Sequence, residues 1–233
     1  MIVKDQRHLT DVVLAEMQKT PDPRLREIMV ALADHLHQFI RQVKLTEPEF
    51  QAALAIINRV GQASNDSHNE AAVMAGSLGA SQLVCLLNNG NMGESETTAN
   101  LLGPFWRMHV PRVENGGSLL RSPTPGPTLY VRGRVLDRNG APVAGADIDI
   151  WHSSPVGLYE QQDPEQAEMN LRGMFTSDAD GRFWFRTVKP AGYPLPVEGP
   201  VGDLLRAQGR QHYRPAHMDF MIAKPAFKTL ISQ

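Results

Sequence analysis

Apolar residues recur at every third or fourth position up to about residue 100, and at every second position from about residue 129 onward. The first spacing turns one face of a helix toward a core, and the second turns alternate side chains of a strand to one face of a sheet. Residues 11–18, 23–43 and 48–63 carry the helical spacing. In the second of these, Leu25, Ile28, Met29, Leu32, Leu36, Phe39 and Ile40 form one continuous stripe. Pro23 and Pro48 suit a first helical turn, where the missing N–H is no loss, with Asp22 and Thr46 as caps nearby. A fourth helix is expected over residues 69–89, stopped by "GNMG".

The Pro/Gly-rich stretch "RSPTPGPT" separates the two regimes. Beyond it, "LYVRGRVLD", "RNG" and "APVAGADIDIWH" read as strand, turn and strand. "GMFTSDADGRFWFRTV" repeats the pattern, with Asp180 and Gly181 at the turn and Phe183 and Phe185 on one face. "HMDFMI" and "KTLISQ" close the series. Short strands with turns between them favour an antiparallel sandwich over a parallel sheet. The expected architecture is therefore α+β: an N-terminal helical region over residues 1–105, then an antiparallel β-sandwich over residues 106–233.

Composition narrows the partners. A net charge of −2 and a pI near 6.4 give no electrostatic reason to expect nucleic acid or an anionic membrane. A hydrophobic content of 42% supports a real core. The one cysteine, Cys85, stands in the apolar run "LVCLLN" and is expected to be a buried thiol; it excludes an internal disulfide framework and fits a reducing cytoplasm. The N-terminus lacks the apolar core of a signal peptide, and no stretch approaches the length of a membrane span. These features lead to the expectation of a cytoplasmic protein.

Four segments of the second half hold groups that a plain sandwich does not need. "WHSSPVGLYEQQDPE" places Tyr159 in a loop after His152, and "VKPAGYPLPVEGP" places Tyr193 in a second loop. "LLGPFWRMH" supplies a Gly-Pro turn before Phe105 and Trp106. In "YRPAHMDFMI", read as a strand, Met218, Phe220 and Ile222 face a core while His217 and Asp219 share the other face near Arg214. Taken singly, each has a plainer reading: packed tyrosines with bonded hydroxyls, a structural His152, a solvated aspartate, a surface arginine. Taken together, phenol and carboxylate oxygens with imidazole suit a hard, high-valent metal such as Fe(III). His-x-Asp also begins the two-histidine, one-carboxylate triad of Fe(II) oxygenases, but none of the 14 residues after Asp219 is histidine.

The stretch from "IWHSSPVGLYEQQDP" through "KPAGYPLP" to "RPAHMDFMI" resembles the intradiol ring-cleavage dioxygenases, especially their hydroxyquinol 1,2-dioxygenase branch. The resemblance implies a β-sandwich catalytic domain and an N-terminal helical region that builds a homodimer, with a phospholipid held between helical regions in many relatives. It implies Fe(III) held by two tyrosinates and two histidines, with Tyr159 and Tyr193 as the tyrosines and His217 as the first histidine. The second histidine is expected two residues later, where this chain has Asp219. An aspartate there adds one negative charge and lowers the Lewis acidity of the ion. Its shorter side chain is also expected to reach poorly and to weaken iron retention.

By the same resemblance Arg214 stabilises negative charge on the reacting ring, Tyr193 gives way to the incoming catechol, and O2 is the co-substrate. The pocket wall corresponds to Val73, Gly76, Leu101, Leu102, Gly103, Leu195 and Pro196. Hydroxyquinol or a related catechol is the implied substrate, and a hydroxymuconate that tautomerises to maleylacetate, or a substituted muconate, the product. Similar proteins continue past "KTLISQ", so a sheet edge is expected to lack its neighbour. Two rivals remain: a silent homologue that binds an aromatic ligand or lipid, and a plain sandwich domain for protein or carbohydrate contact.

Overall fold

A computed structural model describes residues 2–65, 69–89, 97–195 and 197–233. Two compact units divide the chain, residues 1–59 and 60–233. The helices are α1 (Gln6–Met17), α2 (Pro23–Val43), α3 (Glu47–Ala63), α4 (Glu70–Ser77), α5 (Ala80–Asn89) and α6 (Pro200–Ala207). The strands are β1 (Thr128–Arg134), β2 (Asp147–His152), β3 (Arg172–Thr176), β4 (Arg182–Val188), β5 (Tyr193–Pro194), β6 (Tyr213–Arg214), β7 (Met218–Ala223) and β8 (Leu230–Ser232). The change from helix to strand expected near residue 105 does not coincide with the division at residue 59, because α4 and α5 belong to the second unit.

In the first unit, α2 starts as expected: Asp22 accepts the Leu25 N–H at 2.6 Å and Pro23 opens the first turn. A polar knot fixes α1 against α2, where Arg41 donates to the hydroxyl of buried Thr10, which also meets His37 Nδ1 at 3.0 Å. The α2 stripe remains apolar but open, with Leu25, Ile28, Leu32, Leu36 and Phe39 each about half exposed.

The single helix expected over residues 69–89 is instead two, α4 and α5, bent by 75°. Gly79 takes a left-handed conformation, φ 74°, and its N–H bonds back to the Gly76 carbonyl. That is how a glycine commonly ends a helix, and it overrides the apolar periodicity running through it. Cys85 is half-buried rather than buried, since α5 leaves Leu83, Val84 and Leu87 exposed. Helix α6 was not anticipated, although Pro200 at its first turn and the Val201, Leu204, Leu205 spacing announce it.

Two sheets build the sandwich. One is the pair β1–β4 and the other runs β3–β2–β7–β8, all antiparallel. The turns at Asn139–Gly140 and Asp180–Gly181 do reverse the chain, but neither joins two long paired strands. After the bridge Leu136↔Pro142 the chain crosses to the other sheet, so β1 pairs with β4 and β2 with β3 and β7. Turn residues announce a reversal; which strand becomes the partner is decided by the core between the sheets. That core comprises Leu119, Ile148, Ile150, Phe175, Phe183 and Phe185, flanked by Met218, Phe220 and Ile222 as the alternation predicts. Burial contributes roughly 1.5–3 kcal/mol for each large apolar side chain. The sheet edge at β8 is not bare, because Asn100 N–H donates to the Ile231 carbonyl at 2.8 Å; among the described residues β1 is the edge with one neighbour, and it carries exposed Arg132 and Arg134.

One hydrogen bond crosses the core and ties the sheets together. His152 of β2 meets the Thr187 hydroxyl of β4 through Nε2 at 2.8 Å, and its Nδ1 bonds the Ser153 carbonyl at 2.7 Å. A carbonyl only accepts, so Nδ1 carries the proton and Nε2 accepts from the hydroxyl. This is the structural role expected for His152. Burial pulls its pKa from 6.5 to about 4. Between these values the unfolded chain takes up a proton that folded His152 refuses, so stability rises with pH across that window. On lowering the pH through it, the unmodified chain should lose up to roughly 3 kcal/mol more than a His152→Asn variant in denaturant unfolding; equal losses would show that the imidazole is not held neutral.

Candidate metal centre

The second face of the β3–β2–β7–β8 sheet carries a smaller core. Trp151 of β2 stands opposite Asp219 of β7 on that face, and Tyr159 and Tyr193 pack over them with Leu102, Phe105, Trp106 and Met221. Tyr159 is 2% exposed and Tyr193 8%. Phe105 stacks on Tyr159 with ring centroids 4.1 Å apart, and Tyr193 meets Tyr159 edge-on at 5.7 Å.

Three loops must approach backbone to backbone for this to form. A side chain at Gly157, φ 82°, would put its Cβ 2.9 Å from the Gly192 carbonyl oxygen, and one at Gly192 would meet the Arg214 carbonyl oxygen at 2.6 Å. Only glycine permits such contact. The loop bearing Tyr159 therefore lies on the loop bearing Tyr193, which lies on the segment leading to His217. The short ladder β5–β6 fixes the second contact, pairing Tyr193 with Arg214, and Leu195 N–H donates to the His212 carbonyl at 2.8 Å.

The result is four donor atoms facing one another. Tyr159 Oη lies 3.5 Å from Asp219 Oδ2, Tyr193 Oη lies 3.5 Å from His217 Nε2, and His217 Nε2 lies 3.8 Å from Asp219 Oδ2. These are three of the six distances among the donors, and each is what two ligands about 2.1–2.3 Å from one tetrahedral ion would show. His217 Nδ1 donates to the Pro215 carbonyl at 2.8 Å, which leaves the Nε2 lone pair aimed at the cluster. Asp219 Oδ1 accepts from Gln233 Nε2 at 2.8 Å, leaving Oδ2 for the cluster. The aspartate thus reaches the other donors, contrary to the expectation that its side chain would fall short.

Electrostatics point the same way. Burial raises the pKa of Tyr159, Tyr193 and Asp219, and the nearby tyrosine and aspartate raise Tyr159 further. Arg214 pulls Tyr193 and Asp219 down in part, and the Gln233 hydrogen bond and His217 also favour the Asp219 carboxylate. Three buried acids that resist ionisation beside an imidazole nitrogen form a set that a cation stabilises strongly, since bound cations release protons from their ligands. The donors are hard oxygens with one imidazole, so the set fits a hard trivalent ion. Among the described residues no group of three or more His, Cys, Asp and Glu side chains is placed to hold a metal; this centre depends on its two phenols.

The sequence of the second unit matches the family described as "Dioxygenase" over residues 103–233, and residues 22–95 match "Catechol dioxygenase N terminus". The chain belongs to the intradiol ring-cleavage dioxygenase family. It is 41% identical to hydroxyquinol 1,2-dioxygenase of Rhizobium sp. (strain MTP-10005), over 95% of this chain and 75% of that protein. It is 38% identical to 6-chlorohydroxyquinol 1,2-dioxygenase of Cupriavidus pinatubonensis, over 98% of this chain and 82% of the other. The structure of hydroxyquinol 1,2-dioxygenase from Pseudomonas putida DLL-E4 superposes with a TM-score of 0.90 at 37% identity, covering 97% of this chain and 78% of that one.

Of the residues expected in this dioxygenase's pocket wall, Leu102 packs on the tyrosine pair. Leu101 is partly exposed and Gly103 takes φ 74° at the turn before Phe105. Leu195 extends β5. Val73 and Gly76 lie on α4, which is tied to the segment after Tyr193: Glu70 accepts the Val201 N–H at 3.0 Å, and Arg210 donates to the Ser77 carbonyl at 2.8 Å. Neither is among the residues packed on the tyrosines. Pro196 lies outside the described residues. Reading the sequence missed Gln233, and it missed the ion pairs of buried Glu160 with buried Arg172 and part-exposed Arg107. A signal for the latter existed in three oppositely charged residues close to aromatic loop motifs.

The loop contacts make a test. Gly192→Ala should destabilise by about 1–3 kcal/mol, since the added carbon meets backbone that must move. Gly61→Ala in α3, where a Cβ meets nothing within 4 Å, should stabilise by about 0.5–1 kcal/mol. Urea unfolding of both variants checks the pair of opposite signs.

Proposed function

We propose that this dioxygenase binds Fe(III) through Tyr159, Tyr193, His217 and Asp219 and cleaves hydroxyquinol or a related catechol between its two hydroxyl-bearing carbons. The observation that carries the reading is the meeting of two phenol oxygens, an imidazole nitrogen and a carboxylate oxygen within 3.5–3.8 Å of their neighbours. The names of the relatives support the substrate class. In the reaction the carbon–carbon bond breaks, each of its carbons takes one atom of O2, and both end as carboxyl groups. Hydroxyquinol gives a hydroxymuconate that tautomerises to maleylacetate, and a substituted catechol gives a substituted muconate, with no external reductant.

When bound, Fe(III) withdraws electron density from the diol and makes its ring reactive toward O2. The protein supplies the rest. Tyr193 Oη is the acceptor for a proton released by the incoming diol, and Tyr193 yields its position to the substrate. Arg214, across the β5–β6 pair from Tyr193, stabilises negative charge that develops on the ring as it leaves aromaticity. The Pro215 carbonyl keeps the neutral ring's proton on His217 Nδ1, so that ring presents its Nε2 lone pair to the cluster. Phe105, Trp151 and Leu102 exclude water from the donors. Val73, Gly76, Leu101, Leu102, Gly103, Leu195 and Pro196 form the apolar wall that selects the ring.

The half-exposed stripe Leu25, Ile28, Leu32, Leu36 and Phe39 of α2 supports a homodimer through the helical region, with room for a phospholipid acyl chain. Among the described residues no single helix is long and apolar enough to cross a membrane, and we place the enzyme in the cytoplasm. A second reading, a silent homologue that binds an aromatic ligand or lipid, is favoured by one observation: a carboxylate held by Gln233, Asp219, stands where the resemblance implies the second histidine ligand.

Reconstitution with Fe(III) separates the two. The enzyme should turn reddish through a tyrosinate charge-transfer band, bleach with chelator and reductant, and consume O2 with hydroxyquinol or catechol; a colourless, iron-free protein would leave the silent homologue. Asp219→His removes one negative charge from the donor set. It should raise turnover, the bound iron becoming a stronger electron acceptor, while iron content stays the same. Turnover no higher than that of the unmodified chain at equal iron content would contradict this effect of charge.

A further inference from the structure

Beside the Tyr159 ring sits a buried cation to which the proposed reaction gives no role. Arg172 of β3 is 1% exposed. Its Nε contacts both oxygens of Glu160 at 2.9 and 2.8 Å, and its Nη1 donates to the Phe105 carbonyl at 2.6 Å. Its Cζ lies 5.7 Å from the centroid of the Tyr159 ring. These contacts fix the guanidinium to both segments that confine the ring: Phe105, stacked on one face of Tyr159, and Glu160, the next residue in the chain.

Arg172 does not have its acidic partner to itself. Glu160 is shared, because Arg107 also donates to its Oε1 at 2.9 Å. Arg172 Nη2 is buried and makes no hydrogen bond among the described residues, and the same is true of Asp149 Oδ1, whose other oxygen accepts from Trp106 Nε1 at 2.9 Å. Arg107 is also paired with Glu168 at 3.2 Å, so the counter-charge in direct contact with Arg172 is the shared, buried Glu160, in surroundings where burial weakens screening. A positive charge near an aromatic ring stabilises electron density on it, and most of all the density of a phenolate.

We infer that Arg172, through its pairing with Glu160, is a positioning residue that orients Tyr159 as a metal ligand and sets the energy of its phenolate electrons. This rests on the reading of the site as an Fe(III) centre. Lowering the phenolate electrons in energy widens the gap over which charge passes from tyrosinate to iron, so the arrangement is legible in the visible spectrum.

The test compares the Fe(III)-reconstituted full chain with Arg172→Gln, Arg172→Lys and Glu160→Gln, each checked for folding by circular dichroism. Arg172→Gln removes the cation, and its charge-transfer band should move to longer wavelength. Glu160→Gln leaves the cations less neutralised, and its band should move to shorter wavelength. Arg172→Lys keeps the charge and should stay near the unmodified position. Should Arg172→Gln fail to fold, the direction of the Glu160→Gln shift and the position of the lysine variant decide. Bands that stay in place, or that move in the same direction in the glutamine variants, would mean that the arginine only supports the fold and would overturn this inference alone. Absence of any band in the unmodified protein would overturn the iron reading and this inference with it.

Discussion

The candidate centre depends on a constraint that involves no chemistry: three loop backbones stacked in contact on the outer face of one sheet. Gly157 lies on Gly192 and Gly192 on Arg214, each too close for a side chain. Because the loops are fixed in this order, residues 159, 193 and 217, far apart in sequence, point their polar ends at one place. The sheet beneath adds the fourth group, since β7 alternation sends Asp219 to the face opposite Met218 and Phe220. Rigid strands and close loops together hold acids that would separate in water.

Burial turns that geometry into a preference for a cation. Tyr159, Tyr193 and Asp219 are each disfavoured as anions where they stand, and each gains if a positive ion joins them. Asp219 brings a carboxylate to the position where the resemblance implies a second imidazole. Three ionised oxygens would balance a trivalent ion completely, leaving less positive charge to act on a substrate. The surrounding cations bear on the same balance from outside, with Arg214 facing Tyr193 and Arg172 facing Tyr159.

Much of this was legible in the sequence, for reasons that can be stated. Periods of 3.6 and two located α2, α3, β1, β4 and β7, because those elements gather their apolar residues on one face. Loop tyrosines beside glycine and proline marked the centre, since such loops are poor places to bury a phenol without purpose. What failed was what periodicity cannot carry. Gly79 broke an apolar run into two helices through its backbone conformation. The strand–turn–strand segments proved to be crossings between sheets, because a turn does not name the partner of the strand that follows. Arg172 and Glu160 stayed hidden because a buried ion pair has no spacing rule, and Gln233 because its contact with Asp219 depends on the β7–β8 register.

The central claim is that Tyr159, Tyr193, His217 and Asp219 enclose one trivalent cation. The most direct measurement is a crystal structure of the protein loaded with Fe(III), with anomalous scattering collected at the iron edge. The account predicts a single anomalous peak within bonding distance of Tyr159 Oη, Tyr193 Oη, His217 Nε2 and Asp219 Oδ2. A peak elsewhere, or iron bound with any of the two tyrosines or His217 turned away, would contradict it.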